Sequence, residues 1–130
     1  MPHNADEAEI RTLVQNWARA ARAKDMAGVL ERHGTDMVMF DVPMPVQSRG
    51  IGEYEKTWAL FFAHSPGGAG SFDLAELEIT AGDTVAFAHA LIHVGGSVGR
   101  LTIGLRKQDG RWIIAHEHHS YPIELGPGTP

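Results

Sequence analysis

The second half of the chain contains four β-prone segments separated by short turn motifs. The turns are Ala81-Gly82-Asp83, Gly95-Gly96-Ser97 and Asp109-Gly110. Turns of two or three residues that are rich in glycine and aspartate join neighbouring antiparallel strands. The spacing predicts strands over residues 71–80, 85–94, 100–107 and 112–121, with Pro122 ending the last one, and it predicts that they form a meander.

The first half of the chain has helical periodicity. Apolar residues at helical spacing over 10–21 predict an amphipathic helix, with Asn4 and Glu7 as a capping pair. Asp25 is the expected N-cap of a short second helix that carries His33 and ends at Gly34. Residues 36–42 are predicted as a strand and residues 52–64 as a third helix, while a phase change within 71–80 indicates a β-bulge. Three helices packed on a curved antiparallel sheet make an α+β fold that closes over a pocket.

The length of 130 residues predicts one domain, assigned to residues 1–125, with a flexible tail at 126–130. The net charge of −5 is not concentrated in any run, so no nucleic-acid partner is expected. No apolar run is long enough for a membrane span, which predicts no membrane partner. Because the chain has no cysteine and its start lacks a signal-peptide pattern, we expect a cytoplasmic protein without thiolate metal sites.

The final predicted strand is unusual because it holds three of the eight histidines and one glutamate. Alternation puts His116 and His118 on one face with Trp112, and Glu117 and His119 on the other. If Asp109-Gly110 is a two-residue type I′ turn, the apolar stripe of the preceding strand shares its face with His116 and His118. If Gly110 forms a bulge, that stripe shares its face with Glu117 and His119. The residues alone leave both pairings open.

The element order resembles the NTF2-like (cystatin-like) superfamily, which includes ketosteroid isomerase, scytalone dehydratase and the SnoaL-like cyclases. The most specific motif is Asp109-Gly110-Arg111-Trp112 followed by His116-x-His118-x-Ser120-x-Pro122. This motif is similar to the closing hairpin of the SnoaL-like proteins and the kinase-association domains. The resemblance implies that Leu91, Ile103 and His119 line a pocket, which favours the bulged pairing. The pocket face would then contain Phe87, His89, Leu91 and His93 beside Leu101, Ile103, Leu105, Glu117 and His119.

Three residues are the predicted catalytic groups. A carboxylate in a helix-covered cavity loses solvation, so we expect Glu117 to have a raised pKa and to act as general base or acid. His119 and His89 are its expected partners, because imidazoles exchange protons near neutral pH. The alternatives are an exposed ion pair of Glu117 with Arg100 and histidines that are merely satisfied in the core.

The expected ligand-binding residues surround the same pocket and are Phe40, Asp41, Tyr54, Trp58, Leu91, His93 and Ile103. His116 and His118 could chelate a metal, but their strand offers two ligands where a stable site requires three or four. We therefore predict no metal, and the resemblance implies no cofactor. Trp112, His116 and His118 form an amphipathic patch that predicts a homodimer through the outer face of the sheet.

Two functions follow from these expectations. The resemblance implies a cofactor-free isomerase, dehydratase or cyclase that transfers a proton on a small apolar organic molecule. The alternative is a non-catalytic domain that binds a ligand or mediates association, which needs no proton-transfer geometry.

Overall fold

A computed structural model describes residues 3–127, in which three helices pack on one six-stranded sheet. The expected α+β class is confirmed, although one helix is short and another follows the first two strands. In chain order the elements are α1 (Asn4–Ala23), α2 (Met26–Leu30), β1 (His33–Phe40), β2 (Ser48–Arg49), α3 (Ile51–His64), β3 (Asp73–Ala81), β4 (Val85–Val94), β5 (Ser97–Gln108) and β6 (Arg111–Ser120). Residues 128–130, on which most of the predicted tail falls, lie outside the described residues.

The sheet has the order β2-β1-β6-β5-β4-β3. Strands β3 to β6 form the predicted antiparallel meander, and β3 carries the predicted bulge, where Glu76 has a φ of 55°. Strand β1 then pairs in parallel with β6, which sets Met39 opposite Glu117 and Phe40 opposite His118. This pairing places the first strand of the chain beside the last one within the sheet.

The helices cover one face of the sheet. Helix α1 buries the predicted apolar stripe, with Ile10, Val14 and Ala21 fully enclosed, because these side chains recur on one face at helical spacing. The predicted capping pair at its start is wrong, since helix α1 begins at Asn4 without a side-chain cap.

Helix α2 starts as expected, because the Asp25 carboxylate accepts a hydrogen bond from the backbone N–H of Gly28 at 3.2 Å. Its predicted end is wrong. The helix stops at Leu30, and His33 is the first residue of strand β1. This difference moves an imidazole from a helix surface into the sheet.

Strand β4 turns its small residues inward. Ala88 lies opposite Ile103 and Ala90 opposite Leu101, and all four side chains are buried beneath the helices. The other side chains of β4 point to the outer face, namely Phe87, His89, Leu91 and His93. The expectation that these four residues line the pocket is therefore wrong.

The closing hairpin combines features of both predicted pairings. Asp109 and Gly110, with φ values of 51° and 76°, form a two-residue turn, and Gln108 pairs with Arg111. The register then shifts by one residue at Ala115, because Leu105 faces Ile114 whereas Gly104 faces His116. The bulge therefore lies within strand β6 and not at the turn.

The bulge reverses which residues of β6 point inward. Before it, Trp112 and Ile114 are fully buried; after it, Glu117 and His119 are buried instead. Trp112 therefore does not belong to the outer patch that predicted a dimer. His116 and His118 do point outward, where their rings lie 4.9 and 5.3 Å from the ring of Phe40.

Candidate functional site

A cavity of about 370 Å³ lies between helix α3, the inner face of the sheet and the loop that follows β1. Its size is in the range of small-molecule sites. Most of its lining is apolar or aromatic, and the polar groups are few. The lining residues are Met39, Asp41, Val42, Pro43, Thr57, Trp58, Leu60, Phe61, His64, Phe72, Ile92, Val94, His119 and Tyr121.

His119 is the titratable side chain that connects this cavity to the buried core. The residue is 8% exposed and lies on the cavity wall, with its ring 6.1 Å from that of Trp17. Its Nε2 is 3.0 Å from Oε1 of Glu117. Because a carboxylate only accepts hydrogen bonds, Nε2 carries the hydrogen, and Nδ1 is the nitrogen available to a ligand.

Glu117 is completely buried behind His119 and is held by three side chains. Besides His119 at Oε1, its Oε2 accepts a 2.6 Å hydrogen bond from the hydroxyl of Tyr54 and lies 2.8 Å from Nε2 of His33. The Tyr54 oxygen in turn accepts a 2.9 Å hydrogen bond from the indole N–H of Trp17. The carboxylate is therefore fixed in place by groups from α3, β1 and β6.

The electrostatics of this cluster favour an ionised Glu117. Burial alone would raise the pKa of the Glu117 carboxyl, but the hydrogen bonds and positive charges of His119 and His33 lower it to about 2. The expectation of a raised pKa is therefore wrong in direction. The same principle acts in reverse on His119: burial lowers its pKa, but the hydrogen bond and charge of Glu117, with a smaller effect of Asp41, raise it on balance.

Asp41 and Tyr121 are further polar residues at the cavity, which Thr57 and His64 also line. The Asp41 carboxylate accepts a 2.8 Å hydrogen bond from the adjacent backbone N–H of Val42. Burial and the charge of Asp41 raise the pKa of the Tyr121 hydroxyl, which therefore remains a hydrogen-bond donor at neutral pH. The polar groups Asp41, His119 and Tyr121 all belong to the lining, so a bound molecule can contact them.

Trp58 adds an unused donor to the same wall. Among the described residues, its indole nitrogen is the only fully buried side-chain polar atom without a hydrogen-bond partner. The Tyr54 hydroxyl is nearby but does not have hydrogen-bond geometry towards it. Leaving such a donor unpaired costs about 1–3 kcal/mol.

The structure brings together six of the predicted site residues and separates four. Asp41, Trp58 and His119 line the cavity, and Tyr54, Ile103 and Glu117 lie buried beside it. His89 is exposed on the opposite face of the sheet and is not a partner of Glu117, contrary to expectation. The other three predicted site residues on that outer face are Phe40, Leu91 and His93. Each of them lies beside outward-pointing residues of a neighbouring strand.

Three members of the site were not predicted as such. His33 was expected at the end of helix α2, Trp17 only as part of the apolar stripe of helix α1, and Tyr121 was not among the expected pocket residues. A parallel pairing between strands far apart in the sequence leaves no local pattern, so no signal in the sequence could connect His33 with Glu117. Within residues 3–127 no group of three or more histidine, aspartate or glutamate side chains is arranged to hold a metal ion.

Comparison with known proteins supports the architecture. The family model of the SnoaL-like domain matches residues 10–124. An NTF2-like protein of unknown function from Pseudomonas putida KT2440 is 31% identical, with a TM-score of 0.84, and the match covers 97% of this chain and 92% of that one. No protein of curated function matches the chain significantly.

More distant solved structures share the fold. A proposed dehydratase of the NTF2-like family from Streptomyces avermitilis is 14% identical, with a TM-score of 0.79 and coverage of 93% of this chain and 99% of that one. A proposed scytalone dehydratase from Novosphingobium aromaticivorans is also 14% identical, with a TM-score of 0.76 and coverage of 92% and 85%. No helix within residues 3–127 has both the length and the apolar character needed to cross a membrane. With a family match that extends over most of its length, the chain belongs to the SnoaL-like family of NTF2-like proteins.

Proposed function

We propose that this protein is an enzyme that transfers a proton on an uncharged, largely apolar small molecule, with His119 as the acid-base group. The observation that carries the proposal is the position of His119. Its ring lines the cavity while its Nε2 is hydrogen-bonded to a carboxylate that has no exposed surface. Such a pair holds one tautomer of the imidazole and stabilises the imidazolium that forms when Nδ1 takes a proton.

The proposed chemistry begins with a substrate that carries a carbonyl group. Nδ1 of His119 would remove a proton from the carbon next to that carbonyl, and the negative charge would move to the carbonyl oxygen. The hydroxyl of Tyr121, which lines the cavity, is the donor that could stabilise this oxygen. In a β,γ-unsaturated ketone, return of the proton from Nδ1 to the γ-carbon would give the conjugated isomer. In a β-hydroxy-ketone, the hydroxyl would leave with the proton from Nδ1 as water, which gives the dehydrated product and restores the neutral imidazole.

Glu117 has a different role from the one expected from the sequence. It was the predicted base, but it is absent from the cavity lining and three side chains occupy its oxygen atoms. We therefore assign it the role of orienting His119 and raising its proton affinity. A direct proton transfer between Glu117 and a substrate would require His119 to move away from the cavity wall, because Glu117 has no exposed surface.

The cavity also limits the class of substrate. Its aromatic and aliphatic walls favour a molecule with an apolar body, and the carboxylate of Asp41 disfavours a second negative charge nearby. A neighbouring cavity of about 510 Å³ shares Phe61, His64 and Val94 with the first. A substrate longer than one ring could extend past these side chains.

The test is hydrogen–deuterium exchange on a panel of neutral cyclic ketones and hydroxy-ketones, followed by proton NMR in D₂O. We expect exchange at the carbon next to the carbonyl with the wild-type protein, and a loss of about 10²–10⁴-fold with His119→Asn. The matched control is His118→Asn, because His118 is adjacent in sequence but points to the outer face, so its rate should be unchanged.

The outcomes separate the two candidate functions. Exchange that persists in His119→Asn would contradict the assignment of the acid-base group. Stoichiometric binding of a panel member without exchange or turnover would favour the non-catalytic ligand-binding domain instead.

A further inference from the structure

Each ring nitrogen of His33 lies within hydrogen-bond distance of an acceptor oxygen. Its side chain is completely buried at the start of strand β1. Nδ1 lies 2.9 Å from the backbone carbonyl oxygen of Glu31, and Nε2 lies 2.8 Å from Oε2 of Glu117. A carbonyl oxygen has no hydrogen to donate, so the first contact requires a hydrogen on Nδ1.

The hydroxyl of Tyr54 does not supply a hydrogen to the second nitrogen. Its oxygen is 3.0 Å from Nε2 of His33, but its single hydrogen lies in the 2.6 Å contact with Glu117. Without that hydrogen, two oxygen atoms would face each other at 2.6 Å with no donor between them. Burial and the charge of Glu117 raise the pKa of Tyr54 well above its usual value, so the hydroxyl keeps its hydrogen.

The remaining hydrogen bond of Tyr54 confirms this arrangement. Its oxygen accepts from the indole N–H of Trp17 at 2.9 Å, and an indole nitrogen is only a donor. With Glu117 ionised, a neutral His33 with hydrogen on Nδ1 would therefore present a bare Nε2 to two oxygen atoms that have no hydrogen to donate to it. A hydrogen on Nε2 as well as Nδ1 satisfies every contact.

We propose that His33 is held as an imidazolium cation, and that this fixed charge sets how strongly Glu117 attracts a proton to His119. His33 is then a positioning residue that acts through the carboxylate and does not touch the cavity. The inference goes beyond the proposed function, because the ionisation of His33 belongs to the resting protein and would hold even if the cavity only bound its ligand.

A positive charge on His33 weakens the attraction between Glu117 and a proton on His119. Glu117 faces His33 from β1, Tyr54 from α3 and His119 from its own strand, and Asp41 is the further charge that acts on His119. With His33 positive, the Glu117–His33 pair is neutral overall, so a proton on His119 is attracted less than by an isolated carboxylate.

Two substitutions should therefore shift the pKa of His119 in opposite directions. His33→Gln keeps a side-chain N–H that can reach Glu117 but removes the positive charge, so the pKa of His119 should rise. Glu117→Gln removes the negative charge, so the pKa of His119 should fall. A purely structural role for His33 would loosen the contact between Glu117 and His119 and would lower the pKa in both variants.

The experiment is a long-range proton–nitrogen NMR correlation of the imidazole rings in ¹⁵N-labelled wild-type protein at pH 7.5. We expect both nitrogens of His33 to show chemical shifts of protonated imidazole nitrogen, with its signals identified by their absence in His33→Gln. A spectrum in which Nε2 of His33 is unprotonated would overturn the proposal.

The second arm is the titration of His119 in His33→Gln. A rise in its pKa relative to wild type supports the proposal, and an unchanged or lower pKa contradicts it. If His33→Gln does not fold, the wild-type spectrum alone decides, with signals assigned from backbone-linked experiments. Neither measurement depends on a substrate, so a failure of this proposal is distinguishable from a failure of the exchange assay.

Discussion

The hydroxyl of Tyr54 should be one of the most important single groups for the stability of the fold. The residue has no exposed surface, and its hydroxyl connects the carboxylate of Glu117 to the indole of Trp17. Tyr54→Phe keeps the ring and its packing, so the substitution isolates the hydroxyl. It removes one hydrogen bond to a charged group and leaves the Trp17 N–H unpaired in the core.

The expected loss can be worked out from these two effects. A hydrogen bond to a charged group contributes about 1.5–3 kcal/mol, and a buried donor without a partner costs about 1–3 kcal/mol. Because Glu117 keeps its two histidine partners and the core can relax, we expect the free energy of unfolding to fall by about 3 kcal/mol. With about 2.1 cal/mol/K of unfolding entropy per residue, a chain of this length would lose about 10 °C in Tm.

Urea denaturation followed by circular dichroism measures this loss, with calorimetry as a second method. The control is Tyr121→Phe, because no described residue is hydrogen-bonded to the hydroxyl of Tyr121, and its removal should change the free energy by less than about 0.5 kcal/mol. A Tyr54→Phe variant whose stability lies within about 1 kcal/mol of wild type would refute the account of the buried network.

Three further predictions concern acid stability, assembly and the cavity. Because the pKa of Glu117 is lowered from 4.5 to about 2, its ionisation contributes about 3 kcal/mol to the free energy of unfolding. This contribution is present above pH 4.5 and is lost as the pH falls towards 2. Acid titration of Glu117→Gln should not show this loss of stability. We predict a homodimer through the outer face of the sheet, where Phe87 is 49% exposed. Light scattering should give twice the mass of one chain for wild type and a smaller mass for Phe87→Glu. A wild-type monomer at micromolar concentration would contradict this prediction. Val94→Trp should fill space where the two cavities meet and weaken binding of any panel ligand at least about tenfold without loss of fold, and unchanged affinity would place the ligand elsewhere.

The sequence predicted the meander and most helix positions well because those elements depend on local patterns. The two-residue turn at Asp109-Gly110 and the N-cap at Asp25 follow from side-chain and backbone preferences within a few residues. The same reasoning failed for strand β4, where both faces carry apolar residues. Alanine packs inside and Phe87 outside, so hydrophobicity did not distinguish the faces, and the resemblance that placed Leu91 in the pocket indicated the wrong one.

The candidate site was predicted only in part because its assembly depends on non-local contacts. The bulge at Ala115 turns Glu117 and His119 inward without any proline or glycine to mark it. His33 reaches Glu117 across a parallel pair formed by strands far apart in sequence, and local periodicity carries no information about that pairing. The direction of the Glu117 pKa was predicted wrongly because the loss of solvation was given more weight than two histidine partners, of which the second is His33 and not His89.

The titration of His119 by NMR, in wild type and in Glu117→Gln, is the most direct measurement of whether the buried carboxylate makes this imidazole a stronger base. The protein carrying His118→Asn serves as a control, because that ring lies on the opposite face of the sheet. We expect the pKa of His119 to lie above 6.5 in wild type and in the control, and to fall in Glu117→Gln. An equal pKa of His119 with and without the charge of Glu117 would contradict its role as the activated acid-base group of the cavity.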